Sequence, residues 1–204
     1  MPSAVEGSWY VEKRCRQFSQ FLPKYLRRSA TVAVMPPNGA LLRHRVGWLP
    51  WHCGKVRAVV QRVLSAHVDS TVDQVTRRVG SIGPGLCVLV GVTHDDDAAT
   101  ADRMADRIAG LRLMADDDGV MNLSVRDVGA EVLVVSQFTL YGDTSRGRRP
   151  SWTAAARPEQ AEPLVDAVVD GLRQRGVVVA TGAFRTDMAV TLVNDGPATV
   201  ILDV

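Results

Sequence analysis

The amino-acid sequence predicts an α+β domain over residues 56–204, in which most strands pair antiparallel and two main helices lie on one side of the sheet. Two observations lead to this class. Short apolar or alternating segments, separated by Gly, Pro and Asp, have the length and period of strands. Two longer segments instead carry the start and stop signals of helices.

The first part of this domain is predicted to be built from strands. Residues 56–63 alternate apolar and polar side chains, as a half-buried strand does. Residues 68–79 predict a hairpin with Asp73 and Gln74 near its tip. A turn at residues 83–85 leads to residues 86–92, whose uninterrupted apolar run predicts a fully buried strand.

The two helices are predicted from their ends. The three Asp residues at 95–97 precede a helix that runs to about Gly110, because carboxylates are favoured at the positive end of a helix. Residues 116–119 (Asp-Asp-Asp-Gly) predict a turn. Neither acidic run has a His or further carboxylate at ligand spacing, so capping and turning explain them better than a metal site. The second helix spans residues 158–175 and ends at Gly176, and its apolar face comprises Ala161, Leu164, Val165, Val168, Val169 and Leu172.

The segment at residues 131–141 is the most informative part of the chain. Five residues of a predicted buried strand run directly into Ser136, Gln137 and Thr139, without the Gly, Pro, Asn or Asp that usually ends a strand. A buried hydroxyl or amide without a hydrogen bond costs about 1–3 kcal/mol. Two interpretations stay open: the strand leaves the core and its polar residues meet water, or the polar residues form a functional cluster.

Three more strands are predicted after the second helix, at residues 177–181, 188–193 and 198–203. Gly196 and Pro197 lie between the last two, where they predict a tight turn. Gly gives the backbone unusual freedom in φ, and an X-Pro bond is the only common route to a cis peptide, so this pair can orient two adjacent carbonyl groups in one direction. A plain hairpin turn is the simpler alternative.

Composition divides the chain at residue 55. Residues 1–55 contain nine Lys and Arg against two Asp and Glu, whereas the net charge of the whole chain is only +2. We expect this segment to be a poorly ordered, basic extension that either adds RNA affinity through phosphate contacts or results from an incorrect start site, with the true chain starting at Val56. No apolar run approaches the roughly 20 residues that span a membrane, and the three Cys residues suggest no disulfide framework. A cytoplasmic location is expected.

Several motifs in the same order along the chain resemble the D-aminoacyl-tRNA deacylase family. These are residues 56–63 (VRAVVQRV), 83–86 (GPGL), 90–94 (VGVTH), 136–140 (SQFTL), 147–151 (GRRPS) and 193–197 (VNDGP). The resemblance implies a barrel-like sheet, an obligate two-fold homodimer with cross-subunit active sites, and hydrolysis of the ester bond of D-aminoacyl-tRNA and of mischarged glycyl-tRNA. It implies no metal and no cofactor.

The predicted catalytic chemistry relies on the backbone. His67 and His94 have no GxSxG or HExxH partner motif, and no Gly-rich phosphate loop precedes a helix. An aminoacyl ester is already activated, so oriented N–H groups and a positioned water can supply most of the catalysis. We expect the N–H groups of Phe138 and Thr139 to hold the ester carbonyl, with Ser136 and Gln137 fixing that backbone. The ribose 2′-OH would then carry the proton, and a nucleophilic Thr139 Oγ is the alternative.

The resemblance also implies roles for residues outside this segment. The carbonyl groups of Gly196 and Pro197 enter the partner subunit's pocket, bind the α-amino group and exclude L side chains, so that many D-amino acids are accepted. Met188 packs against this site or serves only the core. A further contact is predicted from charge, not from the resemblance: Arg146, Arg148 and Arg149 form the one basic cluster of an otherwise acidic domain, and we expect it to contact the acceptor end of tRNA unless it is a solvated loop.

Two other functions stay open at this stage. The first is an editing domain for one aminoacyl-tRNA synthetase, although no synthetase module is attached. The second is a non-catalytic, RNA-binding dimer that uses the loop containing Arg146, Arg148 and Arg149, called the arginine loop below. Such a protein would bind RNA whatever amino acid is attached and would release none.

Overall fold

The computed structural model describes residues 55–145 and 147–204 in full, and the backbone of residues 31–34 and 42–45. The chain divides into two compact units, Met1–Trp51 and His52–Val204. In the first unit, strand β1 (Thr31–Val34) pairs antiparallel with β2 (Leu42–Arg45). We predicted that residues 1–55 are poorly ordered, and most of these residues lie outside the described part of the chain.

The second unit has a six-stranded sheet, a small hairpin and helices. The large sheet contains β3 (Arg57–Val72), β4 (Val75–Ile82), β5 (Gly85–Gly91), β8 (Glu131–Ser136), β9 (Val178–Thr181) and β10 (Asp187–Asp203). Its order is β10-β3-β5-β8-β9, with β4 paired to the second half of β3. The small hairpin comprises β6 (Met114–Ala115) and β7 (Met121–Leu123). The helices are α1 (Ala98–Ala109), α2 (Val125–Val128), a 3-10 helix (Phe138–Tyr141) and α3 (Pro158–Gln174).

The α+β class is confirmed, and the large sheet is mixed, with three antiparallel and two parallel strand pairings. Strand β3 pairs antiparallel with β4, β5 and β10, whereas β5–β8 and β8–β9 are parallel. The physical reason lies in the connections, because parallel neighbours need a crossover of a dozen or more residues. The crossover from β5 to β8 contains α1, and the crossover from β8 to β9 contains α3. Strand β4 also contacts β8 and β9, which makes the sheet barrel-like and nearly closed.

Strand β8 contributes to two separate apolar cores. Val132 and Val134 belong to the larger core, which α1 and α3 cover, and Leu133 and Val135 belong to a smaller core with Ile82 of β4. Because successive side chains of a strand point to opposite faces, an uninterrupted apolar run is the expected sequence of a strand buried on both faces. The prediction of a buried strand at this position is confirmed.

The predicted helix ends and hairpin are confirmed. Asp97 is the N-cap of α1, and its carboxylate accepts a hydrogen bond of 2.8 Å from the Thr100 N–H. Two residues, Asp73 and Gln74, connect β3 to β4 with φ angles of 48° and 64°, the pattern of a type I′ turn. The four-residue helix α2 was not predicted. None of the helices in the described part of the chain is long and apolar enough to cross a membrane.

The predicted turn at Gly196 and Pro197 is wrong. Strand β10 runs in one direction from Asp187 to Asp203 and pairs with β3 on both sides of these residues. Asn194 lies opposite Val63 and Thr199 opposite Gln61, so the four residues between them form a bulge. Pro has no N–H to donate to a sheet, so it occurs at bulges as well as in turns. The Gly196–Pro197 peptide bond is cis.

Candidate active site

A cavity of about 570 Å³ lies where β8 ends. Its walls come from the end of β8, the start of α3 and the start of β10, and its lining includes Ser136, Gln137, Phe138, Trp152, Arg157 and Met188. The wall is therefore partly apolar and partly polar, which is typical of a site for a small organic group.

The backbone at the end of β8 presents two hydrogen-bond donors. The Gln137 N–H still continues the sheet, donating to the Val90 carbonyl at 2.7 Å, and the 3-10 helix begins at the next residue. The first N–H that bonds within this helix is that of Leu140, which donates to the Gln137 carbonyl at 3.2 Å. The N–H groups of Phe138 and Thr139 precede it, and among the described residues neither has a hydrogen-bond acceptor.

The side chains of this segment hold its conformation. Gln137 Nε2 donates a hydrogen bond to Thr139 Oγ1, which ties these two side chains together. A Cβ atom at Gly91 of β5 would lie only 3.0 Å from the Gln137 carbonyl oxygen, and glycine therefore allows β5 to approach this turn. Phe138 and Trp152 meet edge to face, with ring centroids 5.6 Å apart. Thr139 itself is not part of the cavity lining.

The structure separates the predicted site residues into two groups within one chain. Ser136, Gln137, Phe138 and Met188 lie around the cavity. Gly196 and Pro197 do not line it, and they follow Met188 by eight residues on an extended strand, a span of roughly 26 Å. Met188 therefore does not pack against Gly196 and Pro197 of its own chain, and it contacts the smaller core instead.

Arg62 supports the bulge of β10, a contact that the sequence analysis missed. Its Nε lies 3.1 Å from the Asp195 carbonyl oxygen and 2.9 Å from Asp195 Oδ2, and its Nη1 donates to the Leu113 carbonyl at 2.7 Å. Because the Arg62 guanidinium binds both Leu113 and Asp195, it holds Asp195, the residue that precedes Gly196, in place. The sequence did contain a signal for this contact. Alternate residues of a strand face the same side, and position 62 continues the series of the buried Val56, Ala58 and Val60, so this pattern predicts that the Arg62 side chain points inward.

The described part of the arginine loop carries its side chains at the surface. Two backbone hydrogen bonds between Asp143 and Ser151, of 2.8 and 2.9 Å, close its base. Arg148 and Arg149 are exposed between them, and neither lines the cavity. Arg146, the third predicted residue of this cluster, lies outside the described residues. The loop can therefore offer positive charge to a polyanion without rearrangement of the core.

Neither Cys87 nor His94 lines the cavity, and neither is predicted to act as a nucleophile there. Burial raises the pKa of the Cys87 thiol to about 11, which keeps it protonated near neutral pH. His94 Nε2 lies 2.9 Å from the Thr153 carbonyl oxygen, and His94 is not a lining residue of the cavity. Backbone donors thus remain the clearest chemical feature at the end of β8.

Comparison with known proteins gives consistent matches. The sequence profile of the family described as D-Tyr-tRNA(Tyr) deacylase matches residues 59–203. The D-aminoacyl-tRNA deacylase of Symbiobacterium thermophilum is 55% identical over 148 residues, which cover 72% of this chain and 95% of that protein. The enzyme of the same name from Chloroflexus aurantiacus is 54% identical, over 72% of this chain and 90% of that protein.

Two solved structures share the fold. The c-Myc DNA Unwinding Element Binding Protein superposes with a TM-score of 0.65 at 37% identity, over 72% of this chain and 97% of that one. A probable eukaryotic D-amino acid tRNA deacylase superposes with a TM-score of 0.63, over 74% of this chain and all of that one. At 17% identity, the second likeness concerns the fold alone.

Proposed function

Because this chain belongs to the D-Tyr-tRNA(Tyr) deacylase family, we propose that its cavity binds the aminoacylated end of D-aminoacyl-tRNA and hydrolyses the ester bond there. The family membership makes the chain an ester hydrolase of the D-aminoacyl-tRNA deacylase class. The products are the D-amino acid and free tRNA. The assignment to this cavity is carried by the N–H groups of Phe138, which lines the cavity, and of Thr139, the next residue, since neither N–H has an acceptor among the described residues.

These two N–H groups would stabilise the negative charge that develops on the ester carbonyl oxygen. Donors already fixed by the fold need no reorganisation during the reaction, and removing one such donor typically costs about 10²–10³ in kcat. Water attacks the carbonyl carbon, and the neighbouring ribose 2′-OH takes the proton from the attacking water and passes one to the leaving 3′-oxygen. Thr139 Oγ1 bonds to an amide of Gln137, which is not a base, and this contact favours a supporting role for the hydroxyl.

A second copy of the chain would complete the site. Strand β10 lies at an edge of the sheet, and its exposed side chains include Val193 and Ile201, which are 52% and 68% exposed. Leu64 on neighbouring β3 is 54% exposed. An apolar sheet edge of this kind is suited to pairing with another protein surface. In the proposed two-fold homodimer, the β10 bulge of one subunit enters the cavity of the other. Ile201→Asp should therefore give monomers in sedimentation velocity, and these monomers should not hydrolyse D-Tyr-tRNA.

Gly196 and Pro197 of the partner subunit would then provide selectivity. Their carbonyl groups would accept hydrogen bonds from the α-ammonium group, and an L side chain would collide with their backbone. Glycine and the D-amino acids lack that collision, so both should be hydrolysed. Exclusion by backbone atoms discriminates against one configuration without reading the identity of the side chain.

The direct test is hydrolysis of D-Tyr-tRNA, L-Tyr-tRNA and glycyl-tRNA by the full chain, with EDTA present. We expect rapid release of D-Tyr and glycine and no release of L-Tyr. Binding of all three RNAs without turnover would refute the enzyme and favour the RNA-binding dimer. Hydrolysis of esters from only one tRNA species would favour a synthetase-specific editing domain.

A pair of glycine variants tests the source of selectivity. A Cβ atom at Gly196 would lie 2.0 Å from Asn194 Nδ2 and 3.1 Å from the Ala198 backbone nitrogen, so Gly196→Ala must displace the Asn194 side chain and crowd the bulge, and discrimination between D-Tyr-tRNA and L-Tyr-tRNA should fall. Gly83→Ala is the matched control because Gly83 also precedes a proline, and its Cβ would make only an ordinary contact of 3.8 Å with Glu131 Oε2. Equal discrimination by both variants would contradict the role of Gly196.

A further inference from the structure

Arg57 joins the 3-10 helix at the site to the end of strand β10. Its Nη1 donates to the Leu140 carbonyl at 3.2 Å, and its guanidinium carbon lies 5.4 Å from the centre of the Tyr141 ring. On its other edge, Nε and Nη2 donate to the two carboxylate oxygens of Asp203, at 2.7 and 3.3 Å. Arg57 and Asp203 are also direct neighbours across β3 and β10.

The fork of two bonds to Asp203 fixes the plane of the guanidinium. The hydrogen bond from Arg57 lowers the pKa of Asp203, so that carboxylate is ionised at neutral pH. Two parallel hydrogen bonds between a guanidinium and a carboxylate restrict orientation as well as distance. The third donor of Arg57 is therefore held toward the Leu140 carbonyl.

The contact falls where the 3-10 helix needs an external partner. The last carbonyl groups of a helix have no donor within the helix, and Leu140 lies at this end. A positive charge there also interacts favourably with the helix dipole. Leu140 and Tyr141 directly follow Phe138 and Thr139, whose N–H groups act on the ester carbonyl in the proposed function.

We propose that Arg57 is a positioning residue for ester hydrolysis: by holding the Leu140 carbonyl and the Tyr141 ring, it keeps the N–H groups of Phe138 and Thr139 in the orientation that the transition state requires. This proposal rests on the proposed function. Arg57 contacts no reacting atom, so its loss should affect the chemical step more than substrate binding. Asp203 serves as the anchor, and β10 is thereby tied to the catalytic helix of the same subunit.

Kinetics of Arg57→Gln and Arg57→Lys in the full chain test this role. We expect Arg57→Gln to lower kcat for D-Tyr-tRNA about 10-fold, because small displacements of catalytic groups are costly, and to leave KM nearly unchanged. Lys keeps the charge but not the planar fork, so Arg57→Lys should restore less than half of the lost kcat. Asp203→Asn, which keeps the bond to Leu140 but weakens its anchor, should give an intermediate kcat. The control is Arg173→Gln, which breaks an exposed ion pair of 3.4 Å with Asp170 on α3.

Amide hydrogen exchange separates this proposal from the proposed function. Arg57→Gln should increase exchange in residues 137–142 and leave α1 unchanged, whatever the activity of the parent protein. An inactive parent would overturn the proposed function. The exchange result would still show whether Arg57 holds the segment that contains Leu140 and Tyr141. The positioning role is refuted if Arg57→Gln keeps kcat and exchange at the parent values, or if Arg57→Lys restores kcat fully.

Discussion

Replacing Asp96 by Asn should make the stability of the protein less dependent on pH. The Asp96 side chain is buried, with 6% of the residue exposed. Its Oδ2 accepts a hydrogen bond of 2.7 Å from the Thr93 N–H, and its Oδ1 has no hydrogen-bond partner among the described residues. Burial without full compensation raises the pKa of Asp96 from 3.8 to about 6.

The sign and size of the effect follow from this pKa. The folded state holds the proton more tightly than the unfolded state, so stability is highest below pH 3.8 and falls as the pH rises to about 6. A pKa that rises from 3.8 to about 6, at 1.36 kcal/mol per pH unit, corresponds to a total loss of about 3 kcal/mol from well below pH 3.8 to well above pH 6. Asn cannot ionise and therefore avoids this loss.

Urea unfolding of the parent and of Asp96→Asn between pH 4 and pH 8 measures the difference. The free energy of unfolding of the variant, minus that of the parent, should rise by about 2.5 kcal/mol across this range. Asp97→Asn is the control: hydrogen bonds from Thr100 lower the pKa of Asp97, so its pH dependence lies below pH 3.8 and its difference from the parent should stay nearly constant between pH 4 and pH 8. A difference between Asp96→Asn and the parent that does not change with pH would refute the reasoning.

Three further predictions concern the site and the core. Thr139→Val should lower the rate of D-Tyr-tRNA hydrolysis only slightly, and a loss beyond roughly 10³-fold would contradict catalysis by the backbone alone. Arg148→Gln with Arg149→Gln should raise KM and weaken the salt dependence of tRNA binding in filter assays, because fewer counterions are released; an unchanged salt dependence would show a solvated loop. Leu133→Ala should lower the free energy of unfolding, measured in urea, by about 2–5 kcal/mol because Leu133 is fully buried. A smaller decrease would mean that the core closes into the space that the leucine side chain leaves.

Local patterns in the sequence predicted the elements that depend on neighbouring residues. The alternation at residues 56–63, the Asp97 cap and the two-residue turn at Asp73 and Gln74 each report a local conformation. Pairing partners are different, because the same apolar run fits a parallel or an antiparallel neighbour. The parallel pairs of β8 followed only from the crossovers that α1 and α3 make.

The candidate site was predictable only where it lies within one segment. Ser136, Gln137 and Phe138 are consecutive, so the end of one strand brings them to the cavity together. Arg57, Leu140 and Asp203 are far apart along the chain, and their contact depends on the pairing of β3 with β10. Gly196 and Pro197 were identified by resemblance, but a local pattern could not distinguish a bulge from a turn.

The two-sided burial of β8 limits which mutations this enzyme can accept. Val132, Leu133, Val134 and Val135 have no face toward solvent, so polar substitutions are costly at each of them even though only Val135 lines the cavity. The strand ends at the two proposed catalytic donors, and a shift in either core therefore reaches the reaction centre through the backbone. Constraint on these four residues would reflect the accuracy of catalysis as much as the stability of the fold.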